Sequence, residues 1–385
     1  MDHTRAAHGL KLRWTLTTLT AALAVAGCGA ATAATTSPPS SSPSAQPTTA
    51  AATASPTAAP ASPTAPSLPT LAVLERATSL QVVDGAGHPQ WSVSDAEINK
   101  LVSTDPASSP VVRAAGDNVF IFADHPVKAA LGTVAVLDRA GKLLGSGSFD
   151  VGVGAYDVGA EPSGTDWAWS VDDSPLASGQ HHGRIMVAGL GIPKHAVFGW
   201  VAPVGAWEAV GGWTDMGIVM KRLVAGGCGA GFFGDSASFL IDPTTGTLTD
   251  LFSGAHYLDA RHGARVARAL DSQSDVIING MHYDARGTIV FGAYASPDGS
   301  VVGIARLTPV SCTGAAQPKL GTELVTVATQ AHVDLSGCLI AGWFDTSHYA
   351  CRSLSSGVIT FDDLRGNTVA TLGNAFFAGA LQSSQ

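Results

Sequence analysis

The sequence predicts an all-β chain built as a propeller of about seven four-stranded blades, with six or eight as the flanking counts. Three observations lead there. From about residue 68, short apolar runs rich in Val, Ile and Phe alternate with Gly, Asp, Pro and Ser, as at 118–122, 133–137 and 288–291. Runs of that length between turn formers read as strands. Similar strings also recur: Gly-Trp-x-Asp stands at 212–215 and 342–345, and Pro-[Ser/Asp]-Gly-[Thr/Ser] at 162–165 and 297–300. Both intervals are roughly three units of about 44 residues, a blade-sized period. Finally, a strand ends in Asp and a Gly-bearing turn opens the next at 138–141, 242–246 and 362–366. Glycine there supplies the positive φ that a hairpin turn needs.

Degenerate copies of the repeat place unit starts near 115, 162, 213, 260, 297 and 343. One unit further back reaches about 68, so the folded domain is expected over 68–385, with 68–110 fitting the repeat least well. One short helix is expected at Ser94–Val102, capped by Ser94 or Asp95. The rival architecture is a pair of β-sandwich domains.

The N-terminus reads as an export signal over 1–27. Arg5, Lys11 and Arg13 precede an apolar run, Thr15 to Ala26, which ends in Val25-Ala26-Gly27-Cys28. That run is short of the roughly 20 residues a spanning helix needs. Residues 28–67 are almost wholly Ala, Thr, Ser and Pro, with no charged residue between Cys28 and Glu75. Such a segment lacks the apolar surface to offset its ordering entropy and reads as a disordered tether. The four residues ending at Cys28 resemble the lipobox of bacterial lipoproteins. The resemblance implies that Cys28 carries a diacylglycerol, with the chain cut before it and held on the outer face of the cell membrane. Two or more acyl chains give stable anchoring.

The chain carries 21 Lys+Arg against 30 Asp+Glu, a formal charge of −9. Loss of the signal removes three bases and one acid, leaving −11. With no basic run, nucleic acid is excluded as an expected partner. Besides Cys28 there are Cys228, Cys312, Cys338 and Cys351, an even number that suggests two disulfides in an exported chain. The expected pairing is Cys338–Cys351, closed by a hairpin, with Cys228–Cys312; Cys312–Cys351 is the alternative. Zinc is not expected, because no Cys-x-x-Cys spacing exists.

The strand–Asp–turn–strand lines, and Ala293-Tyr294-Ala295-Ser296-Pro297-Asp298-Gly299-Ser300 in particular, resemble blades of TolB-like and WD-repeat propellers. The likeness extends over most of 110–375 and implies a ring around a central channel.

Signatures of chemistry are sparse. There is no Gly-x-Ser-x-Gly elbow, no His-Glu-x-x-His, no P-loop and no Asp-x-Asp-x-Asp-Gly. Gly234–Ser238 reads as an ordinary serine-bearing turn, Asp172-Asp173 as a solvated pair and His181-His182 as an exposed loop. Trp213 and Trp343 occupy equivalent repeat positions, each two residues before an acid, Asp215 and Asp345. They read first as filler between blades. A second reading sets them with their acids at a channel mouth as a ligand platform. The expected function is therefore non-catalytic: a tethered, monomeric propeller without cofactor or metal that binds an envelope protein, peptide or glycan. The alternative is a lactonase-like hydrolase with a metal in the channel.

Overall fold

A computed structural model describes residues 70–102, 110–124, 131–150, 157–162, 164–174, 180–225, 233–261, 263–285, 288–307, 320–353 and 355–382. The segments read as signal and tether, Cys28, and the expected Cys228–Cys312 pair lie outside these residues. None of the described helices is long and apolar enough to cross a membrane.

The described chain forms seven four-stranded antiparallel sheets. Three strands open it, β1 (Leu71–Glu75), β2 (Ser79–Val83) and β3 (Pro89–Ser94). Helix α1 (Asp95–Leu101) follows as expected: Ser94 Oγ accepts from the Glu97 amide, and Glu97 returns a bond to the Ser94 amide, a capping box. The second blade is β4 (Val111–Ala115), β5 (Asn118–Ala123), β6 (Gly132–Leu137) and β7 (Leu143–Phe149). The third is β8 (Val158–Ala160), β9 (Asp166–Asp172), β10 (His182–Gly189) and β11 (Ile192–Val201). The fourth is β12 (Ala206–Thr214), β13 (Gly217–Ala225), β14 (Phe233–Ile241) and β15 (Leu248–Ser253). The fifth is β16 (Ala255–Arg261), β17 (Ala264–Ala269), β18 (Asp275–Ile278) and β19 (Met281–Asp284). The sixth is β20 (Ile289–Ala295), β21 (Val301–Leu307), β22 (Leu320–Thr326) and β23 (His332–Ser336). The seventh is β24 (Cys338–Trp343), β25 (His348–Ser353), β26 (Val358–Asp363) and β27 (Thr368–Asn374).

The last strand, β28 (Phe376–Leu381), joins the first blade by pairing with β1, Ala72 opposite Ala380. The ring is thus closed by the two ends of the domain. The unit expected at 68 is three outer strands whose innermost strand comes from the far end of the chain. That is why 68–110 fits the repeat poorly. The innermost strands β28, β8, β16, β20 and β24 each touch the innermost strand of an adjacent blade. Gly234–Ser238, read as a turn, lies within β14 instead.

The ring follows from strands that are apolar on both faces. In β5, Val119, Ile121 and Ala123 pack toward the first blade, while Phe120 and Phe122 pack toward the third. Seven apolar clusters result, one between each pair of neighbouring blades, and the last joins Leu74 and Val83 to Phe344 and Phe361. Trp167 and Trp169 are fully buried fillers between the second and third blades. The Cys338–Cys351 disulfide forms as expected across the β24–β25 hairpin, with Cα atoms 5.5 Å apart.

The Asp–turn–Gly repeat has a local cause. Asp138 Oδ1 accepts from the amides of Ala140 and Lys142, Asp242 Oδ1 from Thr244 and Thr245, and Asp363 Oδ1 from Arg365 and Asn367. Asp84 does the same for Ala86 and His88. Each carboxylate ends the third strand of its blade and caps the hairpin to the fourth. Backbone amides, led by Thr245, hold Asp242 below its ordinary value of 3.8, and the Asn367 side chain and amide do so for Asp363. Groups with lowered folded pKa contribute stability above the unfolded value and lose it as pH falls through the folded one. The wild-type urea midpoint is therefore expected to drop between about pH 5 and pH 3. Asp242→Asn is expected to drop less over that window, and an identical drop would count against these caps.

Candidate functional site: the central channel

Five innermost strands carry a bulge at a corresponding level. Register shifts fall at Val210/Gly212 in β12, Tyr257/Asp259 in β16, Val290/Gly292 in β20 and Ile340/Gly342 in β24, and beside Gly379 in β28. A bulge leaves one residue unpaired and re-aims its neighbours. The Gly-Trp-x-Asp repeat is this bulge, followed by the end of the strand and its turn. Gly342 has φ +146°, and a Cβ there would lie 2.9 Å from the Phe377 ring of the next blade, so glycine is required on both counts.

The structure places the four platform residues as follows. Trp343 is buried, meets Tyr349 edge-on, and donates from Nε1 to the Tyr294 carbonyl at 2.8 Å. Trp213 is half-buried against the core between the third and fourth blades. Asp345 Oδ1 accepts from the Ser347 and His348 amides at 2.7 and 2.8 Å, holding the turn after Trp343. Asp215, exposed in the turn after Trp213, lies within electrostatic reach of Asp259.

Asp259 links two blades. Its Oδ1 accepts from the Ala260 amide at 2.9 Å and its Oδ2 from the Ala295 amide of β20 at 2.8 Å, with Arg261 Nε at 3.9 Å. Burial raises the Asp259 pKa; Arg261 and the two amides oppose the rise, and Asp215 adds to it. Tyr294, one residue before Ala295, is 38% exposed. Burial, and then Asp259, nevertheless push its hydroxyl upward. Tyr294 is thus open to solvent while protein crowds its hydroxyl. Phe291, the bulged residue of β20, is 48% exposed on the same strand. Asp215, Asp259 and Tyr294 thus come from three consecutive blades at the end where the innermost strands turn back, and the buried Trp343 of the next blade holds the Tyr294 carbonyl.

A second charged group involves the second to fifth blades. Lys221, on β13, sends its stem across β12 where Gly211 leaves room: a Cβ at 211 would lie 2.5 Å from Lys221 Cε. Its ammonium sits 4.9 Å from the centre of the Tyr257 ring on β16. Asp157, immediately before β8, is pushed up by burial and pulled down by Arg113 of β4 and by Lys221. Asp157 of the third blade is thus influenced by cations from both neighbouring blades, the second and the fourth. Acids whose pKa is raised by burial, as at Asp157 and Asp259, are a physical marker of a candidate functional site.

Elsewhere, His181 Nδ1 lies 2.6 Å from Asp172 Oδ2, and His182 Nδ1 lies 3.1 Å from Ser174 Oγ, around the β9–β10 connection. Among the described residues, the set of three ligand atoms close enough to share a metal is Cys338, Cys351 and Asp362, and there the two sulfurs are bonded to each other. Nothing in the sequence announced Asp157, Arg113, Lys221, Asp259 or Tyr294 as a group. The available signal was a charge within an apolar strand, as in Ile218-Val219-Met220-Lys221.

No protein-family model matches the chain, and no curated protein matches it above chance. Solved structures do. Prolyl oligopeptidase B of Galerina marginata is 10% identical at a TM-score of 0.50, over 79% of this chain and 48% of that one. Two further similarities are a prolyl endopeptidase (11%, TM-score 0.48, 80% and 49%) and the propeller domain of the Trilobed protease of Pyrococcus furiosus (10%, 0.42, 68% and 84%). The chain spans about half the length of the prolyl peptidases it resembles. At such identity the likeness is one of fold: this chain is a seven-bladed β-propeller, closed by its own C-terminal strand.

Proposed function

We propose that this protein is a surface-tethered binding module whose ligand, an envelope peptide or glycan, enters the channel at the mouth framed by Asp215, Asp259 and Tyr294. The meeting of these side chains from three consecutive blades carries the reading. An exposed aromatic beside carboxylates gives a stacking face and hydrogen-bond acceptors together. The lipobox-like Val25–Cys28 and the proline-rich tether support display on the outer face of a membrane, at up to roughly 100 Å from it in extended form.

The test is binding of the full chain to a panel of cell-wall peptides and glycans, with Tyr294→Ala and Asp215→Asn alongside. Both variants are expected to weaken retention of the bound panel member by about tenfold or more, roughly 1.4 kcal/mol, with the thermal midpoint held. Unchanged binding in both would remove the mouth as the site. Turnover of any panel member by the wild-type chain would replace the binding reading with a hydrolase.

A further inference from the structure

We propose that Cys338, Cys351 and Asp362 form a redox-gated site for a thiol-seeking divalent ion such as zinc, closed while the disulfide stands and open once it is reduced. The site lies in the core between the sixth and seventh blades and does not depend on the channel reading.

Three strands of the seventh blade supply the ligands: Cys338 from β24, Cys351 from β25 and Asp362 from β26. One carboxylate oxygen and the two sulfurs all lie within 4.8 Å of one another. Tetrahedral zinc, with sulfur at about 2.3 Å and oxygen at about 2.1 Å, sets its ligand atoms roughly 3.5–3.8 Å apart. Once the disulfide is broken the sulfurs can part by side-chain rotation alone, since the two Cα atoms are 5.5 Å apart. Thr322, wholly buried on β22, holds the Cys338 end in place. Its Oγ1 donates to the Cys338 carbonyl at 3.0 Å and accepts from the Ile340 amide at 2.8 Å.

A second observation points to a ligand. Asp362 is 6% exposed, and its Oδ1 has no hydrogen-bond partner among the described residues. Tyr349, directly across the ladder from Asp362, is wholly buried, and its hydroxyl is likewise without a partner among them. Leaving buried polar atoms unsatisfied is costly. The side chains around them, Val301, Ala305, Leu324 and Ile340, are apolar and offer no hydrogen bond. A metal takes the Asp362 oxygen as a ligand. An ion with three protein ligands keeps a fourth position for water, and the Tyr349 hydroxyl is the neighbouring polar group able to hold that water.

Gating follows from the stoichiometry. A dithiol gives two electrons and two protons to the disulfide and leaves as a disulfide itself, and Cys338 and Cys351 become thiols. A divalent ion then displaces both thiol protons to water. The exchange leaves the net charge of the pocket unchanged, so no unbalanced charge enters an apolar interior. In the oxidised chain the sulfurs are bonded to each other and cannot act as thiolates.

The experiment is titration of the full chain, carrying Cys28→Ser, Cys228→Ser and Cys312→Ser, with cobalt(II) and then zinc. Reduction uses a water-soluble phosphine, which takes up the oxygen of one water as the disulfide becomes two thiols. The reduced chain is expected to bind one cobalt ion with a thiolate charge-transfer band, to exchange it for zinc, and to unfold at a higher temperature with zinc than without. The oxidised chain is expected to do none of these. Asp362→Asn is expected to weaken zinc binding at least about tenfold. Cys351→Ser is the second variant, and its thermal midpoint is expected not to rise with zinc. Unchanged affinity in Asp362→Asn, a wild-type rise in Cys351→Ser, or equal cobalt binding by the oxidised chain would each overturn the proposal. So would a reduced chain that shows no charge-transfer band, or one that loses cooperative unfolding and does not regain it with zinc.

Discussion

Removal of residues 375–385 is expected to abolish cooperative unfolding of the domain. The deletion takes away β28, which supplies the innermost strand of the first blade and its ladder with β1. It also takes Leu381 from the core between the first two blades and Phe377 from beside the core between the seventh and first. What remains is a six-bladed arc with three outer strands at one end and a bare β1 edge, ready to pair with another chain. Leu381→Ala alone is expected to cost about 2–5 kcal/mol. Loss of the whole strand exceeds that and approaches the entire stability of an ordinary domain, about 5–15 kcal/mol. Urea unfolding followed by tryptophan fluorescence reads the effect. A truncated chain with a single sharp transition near the wild-type midpoint would show that the ring does not depend on this closure.

Arg306→Met is expected to be the most damaging single substitution of a charged residue, at about 3–5 kcal/mol. Glu323 on β22 is wholly buried and accepts from Arg306 Nη1 at 3.0 Å and from Tyr283 Oη, on the neighbouring blade, at 2.7 Å. Arg306 also bonds to Asp334 on β23, which is nearly half exposed. Without the guanidinium, Asp334 turns to water, while Glu323 keeps a buried carboxylate that has lost the cation facing it. The double variant Arg306→Met/Glu323→Leu is expected to recover most of the loss, because a buried ion pair often does no better than apolar residues of like volume. It should still fall short by about 1 kcal/mol, since the Tyr283 hydroxyl loses its acceptor. Denaturation of the two singles and the double closes the cycle. A double variant no more stable than Arg306→Met would mean the cost lies in lost packing rather than in the stranded carboxylate.

The repeat marks seen in the sequence are turns rather than beginnings. Ala115–Asp117, 162–165, Trp213–Asp215, Ala260–Gly263, Pro297–Ser300 and Trp343–Asp345 all sit where an innermost strand ends and its hairpin opens. Each blade therefore starts four to eight residues before its mark. Turns are legible because they constrain residue type: glycine at a positive φ, Asp with its carboxylate on turn amides, Trp after a bulge. The innermost strands carry mixed residues and give no such constraint. The first blade has no mark because no turn joins β28 to β1.

The channel was the least legible part for the same reason. Asp215 belongs to a local motif and stands out in the sequence. Tyr294, Asp259, Lys221, Arg113 and Asp157 come from five blades and gain meaning only from ring geometry. Trp213 and Trp343 were conspicuous because wedge-shaped sheets need bulk at that level, and the structure sets both against inter-blade cores.

The most direct measurement is thiol accessibility in the Tyr294→Cys chain, mapped by mass spectrometry so that the native cysteines are scored separately. A small methanethiosulfonate reagent and a bulky polymer-linked maleimide are compared, with Val204→Cys, 79% exposed at native Val204 outside the channel strands, as the control. The expected result is that Cys at 294 reacts with the small reagent alone, whereas Cys at 204 reacts with both. Equal reaction of both positions with the bulky reagent, or no reaction at 294 with either, would contradict a solvent-filled channel lined by the innermost strands.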